Sequence, residues 1–384
     1  MEHFDFAVIG GGAAGISVAY ELSKAANVAL IEQEAAWGYH STSRSAAVIS
    51  ENYGPLGWQA LVSASRRFFE APPPGFSEHP LLHPIGALYF ATREEEPELR
   101  ESAKELTKRR VEHRLLPAAD AGALCPVVKT GEFSLALFEP GCADIDANAL
   151  LQGYLKLAKV NGTKAFLSAE AISLERRHSS WRLAVGDVEL SAGSVVNAAG
   201  AWADDLAARA GVQPKGLQPY RRTAITFDPP PGSNVRAWPM TFDVAETWYF
   251  KPESGRVMVS PVDKTPAAPC DAAPEELDIA IAVDRIERAT TMKVDRIHSK
   301  WAGLRTFAPD EQPVIGPDPD EPSFVWLAGQ GGNGVMGAPA AAEVAAALAT
   351  GSNVPDRIAD CGVKLEAISP VRFAKANSSS RGDR

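Results

Sequence analysis

The tightest constraint on this chain lies in its first 32 residues. Phe6-Ala7-Val8-Ile9 reads as an apolar strand and Gly10-Gly11-Gly12-Ala13-Ala14-Gly15 as a G-x-G-x-x-G turn. A helical stretch follows, then a second strand, Val28-Ala29-Leu30-Ile31, that ends on Glu32. A dinucleotide pyrophosphate needs each part. Gly10 permits the tight turn, Gly12 lets the backbone approach the phosphates, and Gly15 lets the helix pack close to the strand. The helix N-terminus adds unpaired N–H groups and partial positive charge. Glu32, 22 residues past Gly10, can accept from both ribose hydroxyls. An anion there would repel a 2′-phosphate.

A chain of 384 residues can bury a large core and is expected to form two domains. Its net charge of −10 opposes general binding of nucleic acid or of anionic membranes. Cys125, Cys142, Cys270 and Cys361 are scattered without metal-ligand spacing, which predicts reduced, mostly buried thiols and a cytoplasmic setting. The first strand begins too early for a signal peptide, and no apolar run reaches the roughly 18 residues of a transmembrane segment. His79 and His83 stand four apart but flank prolines, so no metal site is expected.

Past Glu32, the small polar residues from Gly38 to Ala47 predict a loop running into a short helix. Helices are expected over 56–70, over a charged, solvent-facing stretch at 94–113, and over 146–161 with Asp146 as cap. Ser194 to Gly200 and Phe324 to Ala328 read as buried parallel strands. Between them, Arg222–Phe227, Thr247–Phe250 and Arg256–Ser260 suggest a mostly antiparallel sheet, and Glu275–Met292 a helix. The fold class is therefore α/β: a Rossmann-like nucleotide domain (1–50, 145–215 and 308–373) interleaved with an α+β substrate domain (51–144 and 216–307). The polar tail 374–384 is expected to be disordered.

A second glycine loop, Gly329-Gln330-Gly331-Gly332-Asn333-Gly334, also links a strand to a helix, but no acid-ended strand follows. It is either a tight turn with glycines for packing or a helix N-terminus placed against an electron-rich ring edge such as a flavin.

Five segments in order carry a resemblance. They are Ile9–Gly15 with Glu32, Ser41–Ala47, Val196–Trp202, Trp301–Arg305 and Gly329–Gly334. Together they resemble the FAD-dependent amine and amino-acid oxidoreductases of the D-amino-acid oxidase superfamily, and within it most of all the bacterial D-arginine dehydrogenases. The resemblance implies bound FAD. Glu32 and Gln33 would meet the adenosine ribose, Ala171 the adenine side, and Gly10, Gly12, Ala14 and Gly15 the pyrophosphate. Ser41, Thr42, Arg44, Ser45, Ala46, Ala47 and Gly200 would line the phosphates and flavin. Gly331, Gly332, Asn333, Gly334, Val335 and Met336 would run along the isoalloxazine. No cysteine follows Arg305 where some members tether flavin, so the FAD is expected to be non-covalent.

An α-amino acid's carboxylate is best held by guanidinium groups and phenols. The resemblance places Arg222, Arg305, Tyr249 and Tyr53 there, with the Gly332 carbonyl accepting from the amine. Val48, Ala87, Met240, Phe242 and Val335 would shape the substrate pocket. Two of these depart from the D-arginine enzymes. Ala87 stands where a carboxylate pairs with the substrate guanidinium, so a cationic side chain would be buried without its counter-ion. Val48 stands in place of a histidine, which suits amine oxidation better than alcohol oxidation, since a hydroxyl needs a base. The expected reaction is oxidative deamination of D-amino acids with neutral or apolar side chains, by hydride transfer from Cα to flavin N5, giving an imino acid and then a 2-oxo acid. Electrons would pass to an acceptor that the residues do not name. The rival readings are a secondary-amine oxidase for sarcosine- or proline-like substrates and a non-catalytic flavoprotein.

Overall fold

Strand Glu2–Ile9 is the middle of the first sheet because its apolar residues are buried on both sides. In the computed structural model, which describes residues 1–373, it pairs in parallel with Val28–Ile31 and with Val188–Asn197. Lys164–Phe166 extends the sheet beyond Val28–Ile31, and Phe324–Ala328 joins Val188–Asn197, both in parallel. Antiparallel strands Ala171–Arg177, Ser180–Val185 and Val314–Pro317 complete eight strands. Helices Ala13–Ser23, Ala147–Val160 and Ala338–Thr350 cover one face through a core holding Ile16, Tyr154 and Val344. The turn geometry meets the expectation for its glycines. Gly10 has φ +113°, and a Cβ on Gly15 would stand 1.7 Å from the Gly10 carbonyl oxygen.

A nine-stranded sheet forms the second layer. Strand Gln218–Phe227 lies antiparallel between Ile297–Phe307 and Arg256–Ser260. The order then runs through Tyr249–Glu253, Met240–Asp243, Ala87–Ala91 and Leu135–Glu139 to Arg114–Pro117. Only the pairing of Met240–Asp243 with Ala87–Ala91 among these is parallel. Residues alternate across the sheet as pleating requires. Ile225, Val259 and Phe250 pack with helix Glu276–Ala289, while Ala224, Met258, Tyr249 and Phe242 face the other way. A small sheet of Val48–Ile49, Leu82–Pro84 and Ala143–Ile145 connects the layers.

Several sequence expectations change here. No helix forms between Gly38 and Ala47; the stretch is a series of turns. Its side chains bond to distant groups instead: Ser41 Oγ donates to the Leu304 carbonyl and Arg44 Nη1 to that of Ala302. The charged helix covers Glu96–Lys108, and it buries Leu99, Ala103 and Leu106 rather than facing solvent throughout. Helix Leu56–Glu70 sends Trp58, Leu61 and Phe69 into the core of the first layer, so the sequence division near residue 50 does not coincide with the division between cores. Of the cysteines, Cys125 and Cys142 are buried but Cys270 is exposed. Burial pushes the Cys125 thiol up to about 12. The tail 374–384 lies outside the described residues. Among the described residues, no helix is long and apolar enough to cross a membrane, and no group of three or more His, Cys, Asp or Glu is gathered as a metal site.

Candidate functional site

A continuous cleft, lined by residues of both, runs between the two layers. At one end the first strand–turn–helix presents Gly10, Gly12 and Ala14, with Thr42 beside them. Thr42 Oγ1 accepts from the Ala13 N–H at 3.1 Å, which ties the loop to the helix start. Glu32 is 9% exposed. Its two carboxylate oxygens accept from the N–H of Gly11 at 2.5 Å and of Glu34 at 2.8 Å. Burial raises the Glu32 carboxyl above its ordinary range despite those two bonds. Each oxygen keeps a free lone pair for a ribose hydroxyl. Gln33, Ala171, Gly200 and His40 line the same end. His40 Nε2 lies 2.9 Å from Glu34 Oε1, a contact that sequence reasoning left unassigned.

Arg44 lines the cleft, but its guanidinium is already engaged. It donates to the carbonyls of Ala272 and Ala302 and to Asp271. Any contact it makes with a cofactor falls to its backbone. Ser41, Ser45 and Ala46 also line the cleft, whereas Ala47 sits behind it with φ +49°.

The far end is made by the second sheet and the second glycine loop. Arg222 pairs with Gly303 and Arg305 with Tyr220 on adjacent antiparallel strands. The register therefore puts both guanidinium groups on one face, one diagonal step apart. Tyr249 lies on the same face, three strands from Arg305. All three line the cleft, with Gly331, Gly332, Gly334 and Val335 opposite. Tyr53 does not itself line the cleft; it packs behind Gly332, and Arg305 Nη1 donates to its hydroxyl at 3.0 Å. A Cβ at Gly332 would stand 3.0 Å from both Arg305 Nη1 and the Tyr53 ring, so a side chain there would have to displace one of the two.

The electrostatics of this end are one-sided. Arg222 Nε donates to the Asp263 carbonyl at 2.9 Å, while its buried Nη1 has no partner. Burial, and then the neighbouring Arg305, hold the Arg222 guanidinium below its ordinary value. Burial also pulls Arg305 down, but Tyr53, Tyr249 and Glu246 together keep it above its usual value. Among the described residues neither cation has a carboxylate partner, and an unpaired buried charge is costly unless a ligand completes it. Such a face receives an anionic group.

The remaining predicted residues stand off the cleft. Gly15 is packed beneath the first turn, Asn333 is 2% exposed with its amide against Gly54, and Met336 is core. Val48, Ala87, Met240 and Phe242 are gathered in one cluster behind Tyr249, with Met240 directly opposite Ala87. Sequence reasoning missed Gln330, which lines the cleft with its buried Nε2 unpartnered. It also missed Gly11, where a Cβ would press on Trp37 and Glu32. Gln330 was legible only as part of the glycine loop.

The cleft fits FAD on its own features. A glycine-walled, elongated groove has an acid at one end for a ribose, while donors that lack partners converge at the other.

Comparisons with known proteins agree in extent. Glycine oxidase of Bacillus licheniformis is 25% identical over 382 residues, spanning 92% of this chain and 95% of that one. Mitochondrial dimethylglycine dehydrogenase of Rattus norvegicus is 23% identical across 86% of this chain and 41% of that protein. The solved L-proline dehydrogenase from P. horikoshii superposes with a TM-score of 0.85 at 22% identity, covering 98% of this chain and 99% of that one, which shows a shared fold. The family model described as DAO, FAD dependent oxidoreductase, matches residues 5–348, and the chain belongs to that family.

Proposed function

We propose that this FAD-dependent oxidoreductase oxidises small amines that carry an α-carboxylate, D-amino acids with compact neutral side chains first among them. The observation that carries the reading is the pair Arg222 and Arg305, two guanidinium groups on one face with Tyr249 and Tyr53 beside them and, among the described residues, no carboxylate within ion-pair distance of either.

When bound, FAD supplies a two-electron acceptor for hydride from the substrate Cα. The chain does the rest. Arg222 Nη1 and Arg305 take the carboxylate in charge-assisted hydrogen bonds. Tyr53 accepts from Arg305, which leaves its own O–H to donate to the same carboxylate. The Gly332 carbonyl orients the amine. No histidine lines this end, and Val48 packs in the cluster behind it. The amine's lone pair drives loss of hydride, so no protein base is required for the C–H step, and rate comes from positioning. The imino acid then hydrolyses to a 2-oxo acid and ammonia.

A secondary-amine reading, with sarcosine- or proline-like substrates, shares the clamp. The burial of Ala87, Met240 and Phe242 favours it by leaving little room for a side chain. The names of the relatives, glycine oxidase and dimethylglycine dehydrogenase, support compact amines of either kind.

The test is anaerobic mixing of the FAD-loaded protein with both enantiomers of a set of amino acids and with sarcosine, followed by flavin absorbance. Bleaching by D-alanine and similar substrates is expected. Bleaching by L-amino acids or sarcosine alone sinks the D-amino-acid reading. Turnover in air with and without an artificial acceptor then identifies where the electrons go.

A further inference from the structure

The cleft ends abruptly against the second sheet. Ala224, Met258 and Tyr249 form its wall, but Phe242 and Ala87, on the same face, do not reach it. Phe242 is 6% exposed and Ala87 fully buried. The Phe242 ring is held on three sides by aromatic neighbours. It lies parallel to Tyr89 with centroids 4.8 Å apart, and its centroid is 5.7 Å from that of Tyr249 and 6.3 Å from that of Tyr53. Two of those neighbours, Tyr249 and Tyr53, belong to the carboxylate clamp. Phe242 therefore packs directly behind the two clamp phenols rather than in the cleft itself.

What lies behind Phe242 is polar. Ala87 stands opposite Glu139 in the antiparallel pair, so both project from one face. Glu139 is fully buried. Its carboxylate accepts from Ser50 Oγ at 2.6 Å and from the Glu51 N–H at 2.7 Å. The Ser50 and Tyr89 hydroxyl oxygens lie 2.7 Å apart. The carboxylate absent at Ala87 thus has a counterpart one strand away.

We propose that Phe242 is the residue that limits this site to compact amines, and that it seals off a floor of Ser50, Tyr89 and Glu139 able to hold a side chain ending in a hydrogen-bond donor. The inference rests on the clamp reading above. Shortening Phe242 opens a path along Tyr89 to a hydroxyl pair and a carboxylate. An ammonium or amide tail gains partners there, whereas a thioether of equal length gains only apolar contact.

The experiment uses FAD-loaded wild type, Phe242→Leu and Phe242→Ala, with FAD content and thermal midpoint recorded for each. Leucine keeps an apolar filler, so one variant stays folded if alanine leaves too large a cavity. The rate constant kcat/KM is measured for alanine, sarcosine, methionine, glutamine and lysine, in both enantiomers. The expected result is a rise of at least about tenfold in the glutamine-to-alanine and lysine-to-alanine ratios in the variants, against a clearly smaller rise for methionine. An unchanged ratio in a loaded variant overturns the seal, and an equal rise for methionine overturns the polar floor. If wild type turns over none of these amines, the clamp reading itself falls and this inference with it.

Discussion

The hydroxyl of Tyr53 lies 3.0 Å from Arg305 Nη1, although 252 residues separate the two in sequence. The contact joins the loop before helix Leu56–Glu70 to a strand of the second sheet, and it closes the substrate end of the cleft. Arg305→Leu should retain FAD yet lose substrate reduction of the flavin by about 100-fold or more, since a charge-assisted clamp loses roughly 3 kcal/mol with its cation. Tyr53→Phe should raise KM about tenfold with a smaller change in kcat. Stopped-flow reduction with alanine and FAD content after gel filtration read both. Undiminished reduction in Arg305→Leu would place the substrate carboxylate elsewhere, whereas no reduction even in wild type would favour a non-catalytic flavoprotein.

Glu32 already accepts from two backbone N–H groups at the cofactor end. Glu32→Ala removes an acceptor for the ribose and leaves those donors unpaired. FAD affinity should fall by about 10- to 100-fold, the worth of one or two hydrogen bonds to a charged group. Fluorescence titration of the apoprotein with FAD measures it, and an unchanged affinity would move the adenosine elsewhere.

Gly15 touches the Gly10 carbonyl oxygen so closely that a methyl group would overlap it at 1.7 Å. Gly15→Ala must push the helix off the strand and spoil the turn. The variant should purify without FAD and melt well below wild type in a thermal scan.

Lys215 and Asp318 form a buried ion pair at 2.7 Å, and Asp318 also accepts from the Trp326 indole at 2.9 Å. Removing one member strands the other charge. Lys215→Met should cost about 3–5 kcal/mol in urea denaturation, with no selective effect on substrate KM.

Burial holds the Glu139 carboxyl above its ordinary value of 4.5. The folded protein thus binds this proton more tightly than the unfolded chain. The resulting stability is fully present below the unfolded-state value and is lost as pH rises through the folded one. Glu139→Gln keeps an acceptor for the Glu51 N–H and removes the titration. The loss of stability on raising pH from about 4 to about 8 should be smaller in Glu139→Gln than in wild type, measured by denaturant midpoint. Parallel curves for the two proteins would show that folding leaves the Glu139 carboxyl unshifted.

Elements with strong local codes were legible in the residues. Helix Leu56–Glu70 and strands Arg256–Ser260 and Phe324–Ala328 fall where apolar periodicity put them. Asp146 caps its helix by accepting from the Ala149 N–H at 2.8 Å. The first glycine turn was legible because its strand, turn and helix are consecutive and Gly15 answers the Gly10 carbonyl within them, although Gly10 and Gly12 also face Ala198 and Thr42. The stretch from Gly38 to Ala47 was not, because Ser41, Thr42 and Arg44 bond to partners far along the chain.

The substrate end divides in the same way. A dinucleotide fold with an acid suited to a ribose, and residues of the right chemistry for a carboxylate, were readable from residue order alone. That Arg222 and Arg305 share a face was not readable there, because cross-strand register is set by pairings some 80 residues apart in sequence. The fold also stacks Phe242 on Tyr89, whose hydroxyl meets the Ser50 that donates to Glu139. Substitution at Ala87 alone suggested a pocket stripped of its carboxylate. The sheet sets Glu139 of the neighbouring strand opposite Ala87, and no local pattern encodes which strand becomes the neighbour.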